Sequence, residues 1–161
     1  MRDFKLNISH LFKLRSVELE KKLGGNSAKA SSGINGCLTT AQKKQNIPDS
    51  IDLFYDDVIA SGHNKSDPIL VKKLVDSSAD AISFLESCGI NLQELSQCGG
   101  HQVPRTHRAE PDLTAKMQAN IGYTIISNLE KKLRTYSNVK IFTSTSVSEL
   151  IFEGNEVIII S

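Results

Sequence analysis

Glu20 closes a short apolar run and stands directly before Lys21-Lys22-Leu23-Gly24-Gly25-Asn26-Ser27. An acid at the end of a strand can accept hydrogen bonds from ribose hydroxyls, as in the second strand of a dinucleotide-binding βαβ unit. The glycine pair and the turn or helix after it would offer backbone N–H groups to a pyrophosphate. On these residues alone a simple tight turn is the competing reading. The first strand and its G-x-G-x-x-G turn, which would make the dinucleotide reading strong, do not occur in the sequence.

Other residues invite other chemistry. Cys88, Cys98, His101 and His107 are thiols and imidazoles close enough in sequence to complete a tetrahedral zinc site, but they lack a C-x-x-C pair. His101 and His107 with Arg105 and Arg108 could act as general acids or bases, or as anion contacts, or as structural hydrogen-bonding groups. Lys29 beside Ser27 and Ser31 has the composition of a nucleophile with its base, yet no third partner is identifiable and a loop lysine is the plainer reading.

The elements that must position these groups follow from periodicity. Leu6, Ile8, Leu11, Phe12 and Leu14 predict an opening helix, and Val17 and Leu19 alternating with Glu18 and Glu20 predict a short strand. Residues Gly24 to Gly36 are Gly, Ser, Ala and Asn without apolar period, a loop in which small residues let another group approach the backbone. Pro48-Asp49-Ser50 is a helix start, followed by Ile51, Phe54, Tyr55, Val58 and Ile59. A second helix is predicted from Ser66-Asp67-Pro68 through Val71, Leu74, Val75, Ile82 and Leu85 to Gly89. His101 to Glu110 reads as a polar connector, and Leu113, Met117, Ile121, Ile125, Leu129 and Leu133 predict one long helix. Val139 to Thr143, Val147 to Phe152 and Val157 to Ile160 predict a β-meander, its last turn at Glu153-Gly154-Asn155. The outline is an α/β domain interrupted by a helical one.

The 161 residues are enough for one ordinary domain. Nineteen Lys plus Arg against 18 Asp plus Glu give a net charge of +1 with no basic stripe, so nucleic acid is not an expected partner. No apolar run approaches the roughly 18 residues of a membrane span, and no signal-peptide pattern opens the chain. Cys37, Cys88 and Cys98 are an odd count at irregular spacing, as expected of reduced thiols in an intracellular compartment. Arg2, Lys5, Lys13 and Arg15 with only Asp3 opposing have the composition of a mitochondrial presequence, but an ordinary helix surface is the plainer reading, and the expected location is cytoplasmic or mitochondrial.

Two blocks carry a resemblance. Gly24-Gly25-Asn26-Ser27-Ala28-Lys29-Ala30-Ser31-Ser32-Gly33-Ile34-Asn35-Gly36 resembles the signature of the yeast-type FAD-dependent fumarate reductases, within the wider family shared with succinate dehydrogenase flavoprotein subunits. Gly99-Gly100-His101-Gln102-Val103-Pro104-Arg105-Thr106-His107-Arg108 resembles a G-G-H-x-V-x-R-T-H-R segment of the same enzymes. The resemblance runs from about Ser16 to the end. It implies an incomplete α/β, Rossmann-like FAD-binding domain interrupted by a mainly helical capping domain. Residues 1–46 would be the N-terminal part of the FAD-binding domain, 47–104 a portion of the capping domain, and 105–161 the return to the FAD-binding domain.

By the same resemblance Glu20 would hold the adenosine ribose, while Asn26, Ser27, Ser32 and Gly33 would line the pyrophosphate and the flavin edge. Val147 would contact the adenine through its backbone. The spacer between Glu20 and Gly24 is one residue shorter than the family pattern, which leaves Glu18 as the alternative acid. The implied reaction is hydride transfer from flavin N5 to fumarate, giving succinate, with a positioned arginine as proton donor and carboxylate clamps expected beyond Ser161. No catalytic residue and no metal ligand is therefore assigned within the chain. It is expected to be a fragment, inactive by itself, with a non-catalytic remnant or another FAD-dependent dicarboxylate dehydrogenase as the alternatives.

Overall fold

The computed structural model describes residues 14–109, 120–154 and 156–160. The helix predicted over Leu6 to Leu14 lies outside the described residues except at Leu14, which opens a strand instead because it pairs with Val139, and Leu113 and Met117 also lie outside them. The first element is strand β1, Leu14–Val17, after which a 3-10 turn, Ser27–Lys29, lies within the glycine-rich loop. Strand β2, Ile34–Asn35, and helix α1, Thr40–Lys44, follow. Three helices come next: α2, Ile51–Ser61; α3, Pro68–Asp76; and α4, Ser78–Ser87. Strands β3, Glu94–Ser96, and β4, Thr106–Arg108, lead to helix α5, Ile121–Arg134. Strands β5, Val139–Phe142, β6, Glu149–Glu153, and β7, Glu156–Ile160, complete the order.

The start signals operate as expected. The Ser50 hydroxyl accepts the Leu53 N–H at 3.0 Å, and the Asp67 carboxylate accepts from Ile69 at 2.8 Å and Leu70 at 3.3 Å, with Pro68 just inside α3. Thr39 and Gln42 form a reciprocal capping box on α1.

The predicted helix from Pro68 to Gly89 is instead two helices, broken at Ser77, which is both the C-cap of α3 and the N-cap of α4. The break lets the halves feed separate cores. Val71 and Val75 pack with Cys37 and Phe54, whereas Ile82 and Leu85 pack with Ile90, Leu92 and Ile121. The Ser78 hydroxyl donates to Val75 O at 2.9 Å and accepts the Cys37 N–H at 3.2 Å, which ties the break to the chain after β2.

Four further expectations are corrected. The opening strand ends at Val17 rather than Glu20, because parallel pairing of Leu14–Val17 with Val139–Phe142 uses these four residues and leaves Leu19 exposed. The expected β-meander does not form: β5 joins β1, and only β6 and β7 make the antiparallel hairpin. Val147 precedes β6, which begins at Glu149. Helix α5 begins at Ile121 because Asn120 is extended and its side chain accepts the Tyr123 N–H at 2.8 Å.

The polar connector also differs from its sequence appearance. Thr106–Arg108 is the middle strand of an antiparallel sheet ordered β2-β4-β3, pairing Ile34 with His107 and Leu95 with His107. Arg105, Thr106 and His107 are buried. Three-residue strands are too short to show alternation, and here the inward groups are polar.

Candidate functional site: the glycine-rich loop and its supports

The end of β1 is tied to the segment after β5. Glu18 N donates to Phe142 O at 2.9 Å, Thr145 N to Glu18 O at 3.1 Å and Ser144 N to Glu20 O at 3.0 Å. The backbone leading to Val147 therefore runs beside the strand end carrying both candidate acids. The two acids differ: Glu18 Oε1 folds back to accept the Glu20 N–H at 3.1 Å, whereas Glu20 is exposed and its carboxylate has no partner among the described residues.

The loop is held at both ends. At its start, Gly122 N on α5 donates to Ala30 O at 2.8 Å, and a Cβ at Gly122 would lie 2.0 Å from Ser27 O. At its far end, Arg108 Nε donates to Ser32 O at 2.7 Å, and Thr106 Oγ1 donates to Asn35 Oδ1 at 2.7 Å. Gly33 has φ +135, and a Cβ there would come within 2.6 Å of His107 O, so glycine is required by both conformation and contact. Within this loop Asn26, Ser27 and Ser32 are exposed. The N–H groups of Gly25, Asn26 and Ser27 meet no acceptor among the described residues. Lys29 Nζ reaches Asn26 Oδ1 at 3.5 Å, which accounts for it as a loop lysine.

The histidine and arginine block divides into an interior and a surface part. Arg105, fully buried, donates from Nε to Asp49 Oδ2 at 2.9 Å, from NH2 to Asp49 Oδ1 at 2.7 Å, and from NH1 to Asp57 Oδ2. Its guanidinium lies 4.6 Å from the centre of the Phe54 ring, a cation–π contact. Gln42 supports Asp49 at 2.8 Å, and the Gln102 side chain and N–H hold Asp57 at 2.9 and 3.0 Å. His101 Nδ1 accepts from Arg105 NH1 at 2.9 Å. His107 Nδ1–H donates to Arg105 O at 3.0 Å, which leaves Nε2 to accept the Thr39 hydroxyl at 2.8 Å.

Both imidazoles are thus engaged as neutral groups. Burial lowers the pKa of each, reinforced at His101 by the positive charge of Arg105 and opposed at His107 by its backbone hydrogen bonds. Burial alone would raise Asp49 and Asp57, but hydrogen bonds from Arg105, with Gln42 at the first and Gln102 at the second, hold both below the ordinary carboxylate value. Neither general acid–base chemistry nor zinc binding is favoured by these contacts. No group of three or more His, Cys, Asp or Glu suited to a metal occurs among the described residues.

The pH dependence follows from these directions. A depressed folded pKa means that the unfolded chain binds more protons, so stability rises with pH across the gap. The histidines are expected to contribute a loss beginning as pH falls below about 6.5, and the aspartates a second loss below about 3.8. Thermal melts from pH 8 to 3 should show both phases, and His107→Gln should shrink the first. A flat profile between pH 7 and 5 would contradict the neutral buried imidazoles.

Asp49 and Asp57 are supports that the sequence did not disclose as such. Asp49 reads as part of a helix-start signal, and Asp57 as an ordinary polar residue of α2. The hints are that the stretch Asp49 to Asp57 fits the family resemblance and that Asp57 lies one helical turn from Phe54 on α2.

A family described as "FAD binding domain" matches residues 11–161. The chain is 35% identical over 141 residues to an NADH:fumarate oxidoreductase of Klebsiella pneumoniae, covering 88% of this chain and 14% of that protein. It is 40% identical over 125 residues to fumarate reductase 1 of Saccharomyces cerevisiae, covering 77% of this chain and 25% of that protein. The open conformation of a flavocytochrome c3 fumarate reductase superposes with a TM-score of 0.75 at 29% identity, over 86% of this chain and 23% of that one. The chain thus spans about a quarter or less of these relatives. No helix among the described residues is long and apolar enough to cross a membrane. With the match extending over residues 11–161, the chain belongs to the FAD-binding domain family, is similar along most of its length to fumarate reductases, and has FAD as its cofactor.

Proposed function

We propose that this chain supplies part of the FAD-binding half of an oxidoreductase that reduces fumarate to succinate. The observation that supports this most is the anchored, exposed loop in which the N–H groups of Gly25, Asn26 and Ser27, and the nearby carboxylate of Glu20, have no partner among the described residues. An acceptor for ribose hydroxyls next to donors for a pyrophosphate is the donor set a dinucleotide needs. Glu20 rather than Glu18 takes the ribose, since Glu18 is already engaged by the backbone. Asn26 and Ser27 hold the pyrophosphate, Ser32 and Gly33 meet the flavin edge, and the Val147 backbone meets the adenine. Residues 47–104, which include the helices α2 to α4, form a portion of the domain that caps the dicarboxylate.

FAD, once reduced, would supply a hydride from N5, and the chain's own residues would bind and orient it. Fumarate reduction also needs a proton donor and carboxylate clamps at near-attack distance, which we assign to parts of the relatives that this chain does not match. The chain is therefore expected to bind FAD weakly, to emerge colourless from desalting after incubation with FAD, and to show no fumarate reduction with reduced flavin. A retained yellow cofactor with turnover would overturn this division of labour.

A further inference from the structure

Of the basic residues in the 99–108 block, only Arg108 stands at the surface beside the glycine-rich loop. Arg105 is enclosed by Asp49 and Asp57, but Arg108 sends its Nε to Ser32 O at 2.7 Å. Its stem covers the same turn, since a Cβ at Gly33 would lie 3.3 Å from Arg108 Cγ. Both loop residues assigned to the flavin edge are therefore held by one side chain. The other ties at this end, the Thr106 to Asn35 bond, the pairing of β2 with β4 and Gly36 N to Arg105 O at 3.0 Å, lie beyond them. We propose that Arg108 is a positioning residue, fixing the Ser32–Gly33 turn in the conformation that receives the cofactor. The proposal rests on the FAD reading of this loop given above.

The geometry distinguishes this role from general stability. Arg108 is exposed and forms no ion pair among the described residues, so replacing it leaves no buried charge. The cores around Phe54 and Ile82 do not include it. Loss of one charge-assisted hydrogen bond to the loop corresponds to about a tenfold change in an equilibrium that depends on it.

The test uses the full 161-residue chain, unaltered and as Arg108→Met and Arg108→Lys, with two readouts. Deuterium uptake by a peptide covering residues 31–36 is expected to accelerate about tenfold in Arg108→Met, with the helices α2 to α4 unchanged. The lysine variant should recover part of the protection by donating to Ser32 O. Equilibrium titration of flavin fluorescence should show FAD binding weakened about tenfold by Arg108→Met at an unchanged melting temperature. Unchanged uptake at residues 31–36 would overturn the anchoring role, and faster uptake with unaltered FAD affinity would overturn its service to the cofactor. Absence of FAD binding by the unaltered chain would count against the cofactor reading itself, leaving deuterium uptake to decide the anchoring.

Discussion

Arg105→Met is expected to destabilise the chain by about 3–5 kcal/mol, the cost typical of breaking a buried ion pair from one side. A domain of ordinary stability has only about 5–15 kcal/mol in total. Arg105 is fully buried, and its three donor groups serve two carboxylates that are themselves almost completely buried. Methionine fills similar volume but leaves Asp49 and Asp57 with only amide donors, chiefly Gln42 and Gln102. It also removes the cation from the Phe54 ring. The penalty comes from the abandoned charges rather than from lost packing. Adding Asp49→Asn and Asp57→Asn to Arg105→Met should therefore recover a substantial part of it. Arg105→Lys should fall between, because one ammonium cannot reproduce the bidentate contact with Asp49 while also reaching Asp57. Urea unfolding midpoints at constant slope would measure the series. A loss under about 1 kcal/mol for Arg105→Met, with no recovery in the triple variant, would show that these charges are not desolvated as the geometry requires.

The same network explains which parts of the structure the sequence disclosed. Helices α2 and α3 were legible because their caps, Ser50 and Asp67, are local signals followed by apolar periodicity. The break at Ser77 was not, since it depends on two cores that take alternate halves of one periodic run. The pairing of β5 with β1 joins residues far apart in sequence, and nothing in Val139–Phe142 distinguishes that partner from the neighbouring hairpin. At the candidate site, Asn26, Ser27, Ser32 and Gly33 were singled out by the resemblance of the run Gly24 to Gly36 to the fumarate reductase signature, and Glu20 by its place just before that run. The residues that hold that run, Arg108, Thr106 and Gly122, lie far along the chain. Their side chains and close approaches carry no periodic or compositional signal. Arg105 and Arg108 look equivalent in sequence, and only burial separates a structural cation from one beside the loop.

Gly122→Ala is expected to damage the loop and the fold together, by about 2–4 kcal/mol, as an overpacked contact compounded by a weakened hydrogen bond. The added Cβ would lie 2.0 Å from Ser27 O, 2.8 Å from Ala30 O and 2.9 Å from Ala30 N. All three are backbone atoms, so no rotamer change can make room. Helix α5 must withdraw, which strains the 2.8 Å bond from Gly122 N to Ala30 O and pulls Ile121 from the core it shares with Ile82 and Leu85. Alternatively the loop must yield, and then Asn26 and Ser27 lose the geometry proposed for the pyrophosphate. Either response should weaken FAD binding, and the melting temperature tells them apart: a large fall indicates helix displacement, a small fall with lost affinity indicates loop displacement. Gly99→Ala is the control, because nothing lies within 4 Å of its added Cβ, and it should stay within about 0.5 kcal/mol of the unaltered chain. If Gly122→Ala matched that control in both stability and FAD affinity, α5 would not be the support against which the glycine-rich loop is built.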